Sequence, residues 1–432
     1  MTIIAHGIGG RADLPIPLSV LLTGAAAVLV ITFLALGFLW TRPRLQDGPR
    51  YRGPARAVPV RPVLAVVGVA GLALVIGQVV PSLFGVDRVT TRPTIAPVLV
   101  WVAFWLVVPF AGAVIGNWYT DLNPWRTLAG ALGVGRMERI GLPPRIGLWP
   151  ASAVFVAFAW LELVYPTSGD PFTLGVAALT FTGLLLIAMT LVGRETGLAL
   201  FDFFTPYNRL ISSISPLGRN DEGRLVWRGW LRALTVIPEW PGLWAFAVVM
   251  IATVSFDGAV GTDWFRAITG NLADTTVGRT FLLLATVNVV ALAYYAACAV
   301  ASSLSEGRWT TRRVAQRFAH TLVPIGLAYA VSHYFTLILF EGQQLFAAIS
   351  DPFGLGWDLF GTADNRVVFF LRSSTPVWLS QVAFIVSGHL VGVVLAHDRS
   401  LHDFGRDAVR SQYAMLVLMI ALTSLGLLIL SG

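Results

Sequence analysis

Residues 18–40 read LSVLLTGAAAVLVITFLALGFLW, an apolar run without a charged residue that is followed at once by Arg42 and Arg44. Roughly 20 helical residues cross a bilayer core of about 30 Å, so this run predicts a membrane-spanning helix. The segment before it contains His6 and Asp13 and has no apolar core of its own. We therefore expect the run to be a retained span and not a cleaved signal peptide.

Runs of similar length and hydropathy recur along the chain. We predict ten spans, at residues 18–40, 63–80, 98–116, 146–164, 172–192, 241–260, 281–301, 319–340, 377–396 and 413–430. The composition agrees, because 56% of the residues are hydrophobic and only 12% are charged, whereas soluble domains carry about 25% charged residues. The predicted fold class is all-α: a polytopic transmembrane helix bundle that forms a single integral membrane domain over residues 1–432.

The basic residues predict the orientation of the chain. All 30 are Arg, and 23 of them fall in five alternate loops, at residues 41–62, 117–145, 193–240, 302–318 and 397–412. Because positively charged loops stay in the cytoplasm, both termini are expected outside, in a bacterial cytoplasmic membrane. The arginines that set the orientation also account for the net charge of +7, so this charge does not indicate nucleic-acid binding. The expected partners are the lipid bilayer and other membrane subunits.

Two of these loops resemble each other. Asn117-Trp-Tyr-Thr-Asp-Leu-Asn-Pro-Trp-Arg in one loop and Phe201-Asp-Phe-Phe-Thr-Pro-Tyr-Asn-Arg in the other both place an aromatic residue after a proline. An Asn or Thr before Pro is typical of a helix start. We expect two interfacial helices on the cytoplasmic leaflet, with Trp125 and Tyr207 at the level of the headgroups. Duplication of a helical unit and chance similarity both remain open.

The longest outside segment, residues 341–376, is rich in Gly, Asp and aromatic residues. This composition predicts an ordered, turn-rich extracytoplasmic cap rather than a strand or helix. The single cysteine, Cys298, lies in an apolar run, where it is expected to serve as a small packing residue.

Two histidines inside predicted spans are the main site candidates. His333 lies in the eighth span and His389 in the ninth, and ionisable groups inside a bilayer are functional candidates by default. Consecutive spans are often neighbours, so the two imidazoles are expected to approach each other. A single metal ion, a single haem b, a protonatable gate and a structural hydrogen bond between helices all remain open for this pair.

Other polar residues extend this list. The candidate companions of the pair are Tyr334, Glu341, Gln343 and Gln381, and the secondary candidates are His6, Asn288, Glu162, His397, Asp398 and His402. The last three lie at the cytoplasmic end of the ninth span, where divalent metal binding competes with a solvated, ion-paired helix end. The sequence contains no Walker, Gly-x-Ser-x-Gly or His-Glu-x-x-His motif.

Three motifs carry a resemblance to a known family. They are His6-Gly-x-Gly-Gly-x-x-Asp13-Leu-Pro, Pro216-Leu-Gly-Arg followed by Asp221-x-Gly-Arg-Leu-Val, and Gly388-His followed by Leu395-Ala-His-Asp. In these the chain resembles actinobacterial multi-pass membrane proteins that often carry the label fenitrothion hydrolase. The resemblance implies a polytopic membrane protein that acts on an organophosphate, a reaction that normally needs a metal-activated water.

Three functions are therefore weighed. The first is a permease-like protein or membrane-complex component that handles a small ligand or metal ion from the extracytoplasmic side, with its site between the eighth and ninth spans. The second is a membrane-embedded metallo- or haem enzyme, including an organophosphate hydrolase as the resemblance implies. The third is an accessory subunit of a larger membrane complex.

Overall fold

The computed structural model describes residues 16–56, 59–89, 92–220, 222–304, 308–370 and 374–431. Within them, ten helical segments are long and apolar enough to cross a membrane, which confirms the predicted all-α bundle and its number of spans. These spans, numbered in chain order, are Leu18–Leu39, Arg61–Leu83, Ile95–Ile115, Pro144–Leu163, Pro171–Val192, Leu243–Val260, Thr276–Ser303, Thr311–Glu341, Thr375–Ser411 and Tyr413–Ser431.

The individual elements subdivide these spans and the loops. The α-helices are α1 Leu18–Leu39, α2 Arg61–Gly77, α3 Val79–Leu83, α4 Ile95–Pro97, α5 Val108–Ile115, α6 Tyr119–Leu122, α7 Pro124–Ala131, α8 Trp149–Leu163, α9 Pro171–Val192, α10 Arg194–Phe201, α11 Phe204–Ser212, α12 Leu243–Val260, α13 Asp263–Thr269, α14 Thr276–Ser303, α15 Thr311–Phe318, α16 Val323–Glu341, α17 Gln344–Ser350, α18 Ser374–Phe404, α19 Ala408–Ser411 and α20 Tyr413–Ser431. A π-helical stretch, Val98–Val107, joins α4 to α5, and 3-10 turns lie at Pro144–Ile146, Gly270–Asp274, Ala319–Leu322 and Gly405–Asp407. Because spans alternate in direction, the even-numbered spans finish at one end of the bundle, which we call the Ser431 end.

The sixth span, α12, is the centre of the bundle. It packs against α8, α14, α16 and α20, and among its residues only Trp244 and Gly258 are not buried. A carboxylate such as Asp257, near the end of this helix, would be energetically costly if it faced lipid. Here the carboxylate is surrounded by protein, because its helix has neighbours on every side.

Two loops enter the bundle instead of lying on its surface. The first hairpin is α6 with α7, and the second hairpin is α10 with α11. The indole of Trp125 donates to the hydroxyl of Thr182 at 2.9 Å, and Thr182 lies at the middle of the fifth span. Tyr207 stacks on Trp105, at the middle of the third span, with ring centroids 5.0 Å apart.

These contacts overturn the expected interfacial helices. Trp125 and Tyr207 are 4% and 3% exposed and lie among the spans, not at headgroup level. Each hairpin begins and ends opposite the Ser431 end, because it joins an odd-numbered span to the next one. The two hairpins are therefore re-entrant. Irregular backbone at such depth is tolerated when protein surrounds it.

The loops at the two ends of the bundle differ in structure. The segment 341–370, at the Ser431 end, is turn-rich as expected, but it also contains the short helix α17, which the composition did not predict. At the opposite end, β1 Arg52–Arg56, β3 Leu225–Trp227 and β2 Leu217–Arg219 form a small antiparallel sheet in that order. This sheet joins the loop after the first span to the loop before the sixth.

Candidate functional site

Asp257 is the centre of a polar cluster between the sixth and eighth spans. Its Oδ2 atom lies 2.9 Å from Nε2 of His333 and accepts a hydrogen bond of 2.8 Å from the Tyr334 hydroxyl. The two partners are consecutive residues on α16, and their rings are nearly perpendicular, with centroids 4.7 Å apart. One carboxylate oxygen therefore lies between an imidazole and a phenol.

A second carboxylate belongs to this cluster. Glu162 is the penultimate residue of α8 and is 6% exposed. It is close enough to Asp257 for their charges to interact, and it also interacts with the phenol of Tyr334. We call Glu162, Asp257, His333 and Tyr334 the acid–imidazole cluster.

The acid–imidazole cluster lies near the Ser431 end of the bundle. A Cβ atom added to Gly258 would lie 2.4 Å from a side-chain carbon of Ile429 and 3.5 Å from Nδ1 of His333. Gly258 and Ile429 are each two residues from the end of their helix, so His333 is level with the ends of two neighbouring helices. Its side chain is 18% exposed whereas that of Asp257 is 0% exposed, so His333 is the more accessible of the two.

His389 lies elsewhere. Its Nδ1 atom is 2.8 Å from the carbonyl oxygen of Ile385 on its own helix, and its ring centroid is 5.6 Å from that of Tyr329. His333 points to the sixth span, so the described contacts do not join the two imidazoles. Across the described residues, no group of three or more His, Cys, Asp and Glu is arranged to hold a metal ion. The single metal ion and the single haem b stay predictions.

The other candidates near this end of the bundle have local partners. The side-chain amide of Gln381 donates to the backbone carbonyl of Ser332 at 2.9 Å, and the Ser332 hydroxyl donates to the backbone carbonyl of Gln381 at 3.1 Å, which ties the eighth span to the ninth. Gln343 bonds both backbone groups of Val368 and so holds the cap, while Glu341 accepts from Gln344.

Two further candidates lie outside the acid–imidazole cluster. Asn288 is exposed on the seventh span and donates to a carbonyl of its own helix at 2.8 Å. His6 lies outside the described residues.

Of the group His397, Asp398 and His402, the first two are buried, so the solvated, ion-paired helix end that one interpretation expected describes His402 alone. Asp398 is fully buried and accepts hydrogen bonds from the indole of Trp40 and the amide of Gln46, at 3.0 and 2.7 Å. His397 is 2.9 Å from the carbonyl oxygen of Trp40, and His402 contacts Asp403. His397 and Asp398 fasten the loop that follows the first span.

A second buried carboxylate, which the sequence analysis did not single out, lies where the two hairpins meet. Asp202 occupies the bend between α10 and α11, and its carboxylate accepts bonds from Asn123, Thr205 and Tyr119 at 2.9, 2.6 and 3.2 Å. The backbone amide of Phe204 donates to its other oxygen at 3.1 Å. Asn123 in turn caps the start of α7. We call this arrangement the hairpin junction.

Sequence signals for both carboxylates existed. Asp257 is the only charged residue in the span 241–260, and an ionisable residue inside a span is a functional candidate by default. Our list of sequence-based candidates nevertheless lacks it. Asp202 belongs to the repeated elbow motif, but only the docking of the two hairpins brings Asn123 to it.

No protein-family model, curated protein or solved structure matches this chain. What it does must therefore be inferred from its own geometry, which is that of a multi-pass integral membrane protein with a buried, ionisable centre.

Proposed function

We propose that this protein is a proton-coupled permease whose protonatable centre is Asp257. The observation that carries the proposal is the acid–imidazole cluster, in which the Asp257 carboxylate contacts both His333 and Tyr334 inside the bundle. A carboxylate, an imidazole and a phenol in contact exchange protons readily, and imidazole changes its charge near neutral pH.

A purely structural role explains the cluster less well. Helices in membranes associate through small residues and single polar contacts, and buried charges reduce stability unless they are well paired. A second carboxylate, Glu162, lies within electrostatic range of Asp257, so the two repel each other when both are ionised. Such arrangements are typical of proton relays in pumps and transporters.

The hairpins support a permease rather than a passive subunit. Transporters commonly contain broken helices that meet near the middle of the membrane, and the hairpin junction places two helix starts there. Tyr207, on the second hairpin, interacts electrostatically with Glu162. The hairpins and the acid–imidazole cluster are thus connected, so a movement of one would reach the other.

Proton flux into reconstituted vesicles tests the proposal. Vesicles that enclose a pH-sensitive dye receive an inward-driving potential, in the presence and absence of mixed amino acids, sugars and divalent cations. We expect the protein to raise proton entry above that of protein-free vesicles, and Asp257→Asn to lower this entry at least about tenfold, as loss of a general acid–base group does.

The matched control is Glu222→Gln, which removes an exposed carboxylate from a loop and should leave the flux unchanged. If wild-type and protein-free vesicles take up protons equally under every condition, proton coupling is wrong. If Asp257→Asn conducts like the wild type, the acid–imidazole cluster is not the pathway.

The orientation is part of the proposal. The arginine distribution supports a cytoplasmic location for the sheet-bearing loops and an extracytoplasmic location for the Ser431 end and the N-terminus. A cysteine introduced at Asp364 should react with a membrane-impermeant maleimide added outside. A cysteine introduced at Glu222 should react with it only after permeabilisation. Cys298 is fully buried and should stay silent in both cases.

A further inference from the structure

A cavity of about 250 Å³ opens at the end of the bundle opposite Ser431, between the segment that precedes α12 and the eighth and ninth spans. Its lining includes Glu239, Arg317, His320 and Arg399. This cavity, the basic pocket, is separate from both the acid–imidazole cluster and the hairpin junction.

The two arginines of the basic pocket differ in their partners. The guanidinium of Arg317 is saturated, because it forms a two-pronged ion pair with Asp403 and a further bond to Glu239. Arg399 bonds only a backbone carbonyl, that of Thr235, and its Nε atom is buried without a partner. No carboxylate of the described residues forms a direct ion pair with Arg399, so its guanidinium keeps N–H donors for a ligand, while Asp403, Glu239 and Asp398 lie within electrostatic range.

His320 supplies a different kind of group. Its Nδ1 atom lies 2.8 Å from the carbonyl oxygen of Arg317, so Nδ1 carries the hydrogen. The side chain is 3% exposed and its Nε2 atom has no partner. The Nε2 atom is therefore a buried acceptor without a hydrogen-bond partner, on a side chain that lines the pocket together with Arg399.

From this pairing we infer that the basic pocket binds a phosphate group that carries or adjoins a hydroxyl. The anion pairs with the Arg399 guanidinium, and the hydroxyl donates to Nε2 of His320. Two sources share this chemistry: free hydrogen phosphate, and the headgroup of phosphatidylglycerol, in which a glycerol hydroxyl follows the phosphate. Sulfate offers the same charge but no hydroxyl.

Thermal unfolding in detergent tests free ions at a pH of about 8, where His320 is neutral. Sodium phosphate should raise the unfolding temperature, and sodium sulfate at equal ionic strength should not. Arg399→Gln and His320→Phe should each weaken phosphate binding at least about tenfold, as expected when a charged or buried hydrogen bond is lost. Because each variant is compared with and without phosphate, a general loss of stability does not mask the result.

The control is Arg313→Gln, which removes an exposed arginine from the same helical segment as Arg317 and should leave the phosphate response intact. Arg399→Lys keeps the charge and should retain part of it. Nanodiscs provide the lipid arm: if phosphatidylglycerol, but not phosphatidylcholine, stabilises the protein while free phosphate does not, the site takes a headgroup.

Two results would overturn the inference. Equal stabilisation by sulfate and phosphate would mean that His320 accepts no hydrogen bond from a ligand hydroxyl and that the pocket attracts any anion. No response to phosphate, and none to phosphatidylglycerol, would mean that the cavity binds neither source.

Discussion

Asp257 and Asp202 are both buried carboxylates surrounded by helices, but their partners differ in kind. Asp257 contacts an imidazole and a phenol and lies near a second carboxylate. Asp202 accepts from an amide, a hydroxyl, a phenol and a backbone N–H. The first set of partners includes an imidazole, a group that can both donate and accept a proton, and the second includes none.

This difference separates two roles for a carboxylate inside a membrane protein. Donors that keep their protons hold Asp202 as a fixed acceptor that joins two hairpins, so its substitution should affect folding. In the proposed function the imidazole of His333 exchanges a proton with Asp257, so substitution of Asp257 should affect flux. The hairpin junction and the acid–imidazole cluster can therefore be distinguished by measuring both quantities for each variant.

The largest effect on stability should come from Gly68→Ala, because it separates the first hairpin from the second span. A Cβ atom at Gly68 would overlap the backbone carbonyl oxygen of Leu122, which cannot move without displacing Asn123. We expect a loss of about 3 kcal/mol or more in unfolding free energy, at the upper end for overpacking. Gly71→Ala is the control, since its Cβ would meet nothing within 4 Å, and equal loss in both would refute the contact.

The next largest effect on stability should come from Asp202→Ala. It leaves the side chains of Asn123 and Thr205 without an acceptor inside the bundle, so unfolding free energy should fall by about 2–4 kcal/mol. Asp202→Asn keeps one acceptor oxygen and should lose less, while proton flux per folded molecule stays close to wild type. A flux as low as that of Asp257→Asn would place Asp202 on the proton pathway and remove the distinction.

His333→Gln should show the opposite pattern to Asp202→Ala, with little change in stability and a clear loss of flux. The amide can still donate to Asp257 but cannot carry a proton, so stability should change by less than about 1 kcal/mol. Flux should fall severalfold, because the most exposed member of the acid–imidazole cluster is lost. Unfolding and dye measurements on the same preparation would decide, and a large loss of stability with normal flux would identify His333 as helix-packing only.

The smallest effects should come from a matched pair, Tyr119→Phe and Tyr334→Phe. Each removes one phenol hydrogen bond to an aspartate and should lower the free energy of unfolding by about 1 kcal/mol. Only Tyr334→Phe should change the dependence of flux on pH, because only Asp257 exchanges protons. Identical pH profiles for the two variants would contradict that assignment.

The spans were predictable because their signal is local. The backbone N–H and C=O groups of a run such as residues 18–40 find no hydrogen-bond partners in lipid, so the run must pair them internally, and only a helix does so. The hairpins were placed wrongly because Trp125 and Tyr207 suit a headgroup region as well as a protein interior. Only contacts with Thr182 and Trp105, distant in the chain, decide between the two locations.

The site was predictable in part for the same reason. His333, Tyr334 and Glu162 are recognisable as ionisable or polar residues in apolar runs. Their shared neighbour, Asp257, and the separation of His389 from His333 depend on which faces of α12, α16 and α18 meet. The sequence of a nearly uniformly apolar helix does not indicate which helix packs against each of its faces. The neighbours of the two histidines therefore could not be predicted from the sequence.

The fastening of the first loop by Asp398 has a consequence for how the protein is made. The amide of Arg44 donates to Asp398 at 2.6 Å across 354 residues of chain, and the first span packs on the ninth and tenth. At a synthesis rate of about 5–20 residues per second, roughly 20 to 70 seconds separate these partners. Throughout that interval the first helix lies in the bilayer without its permanent neighbours, and its packing is completed only after the ninth and tenth spans have been made.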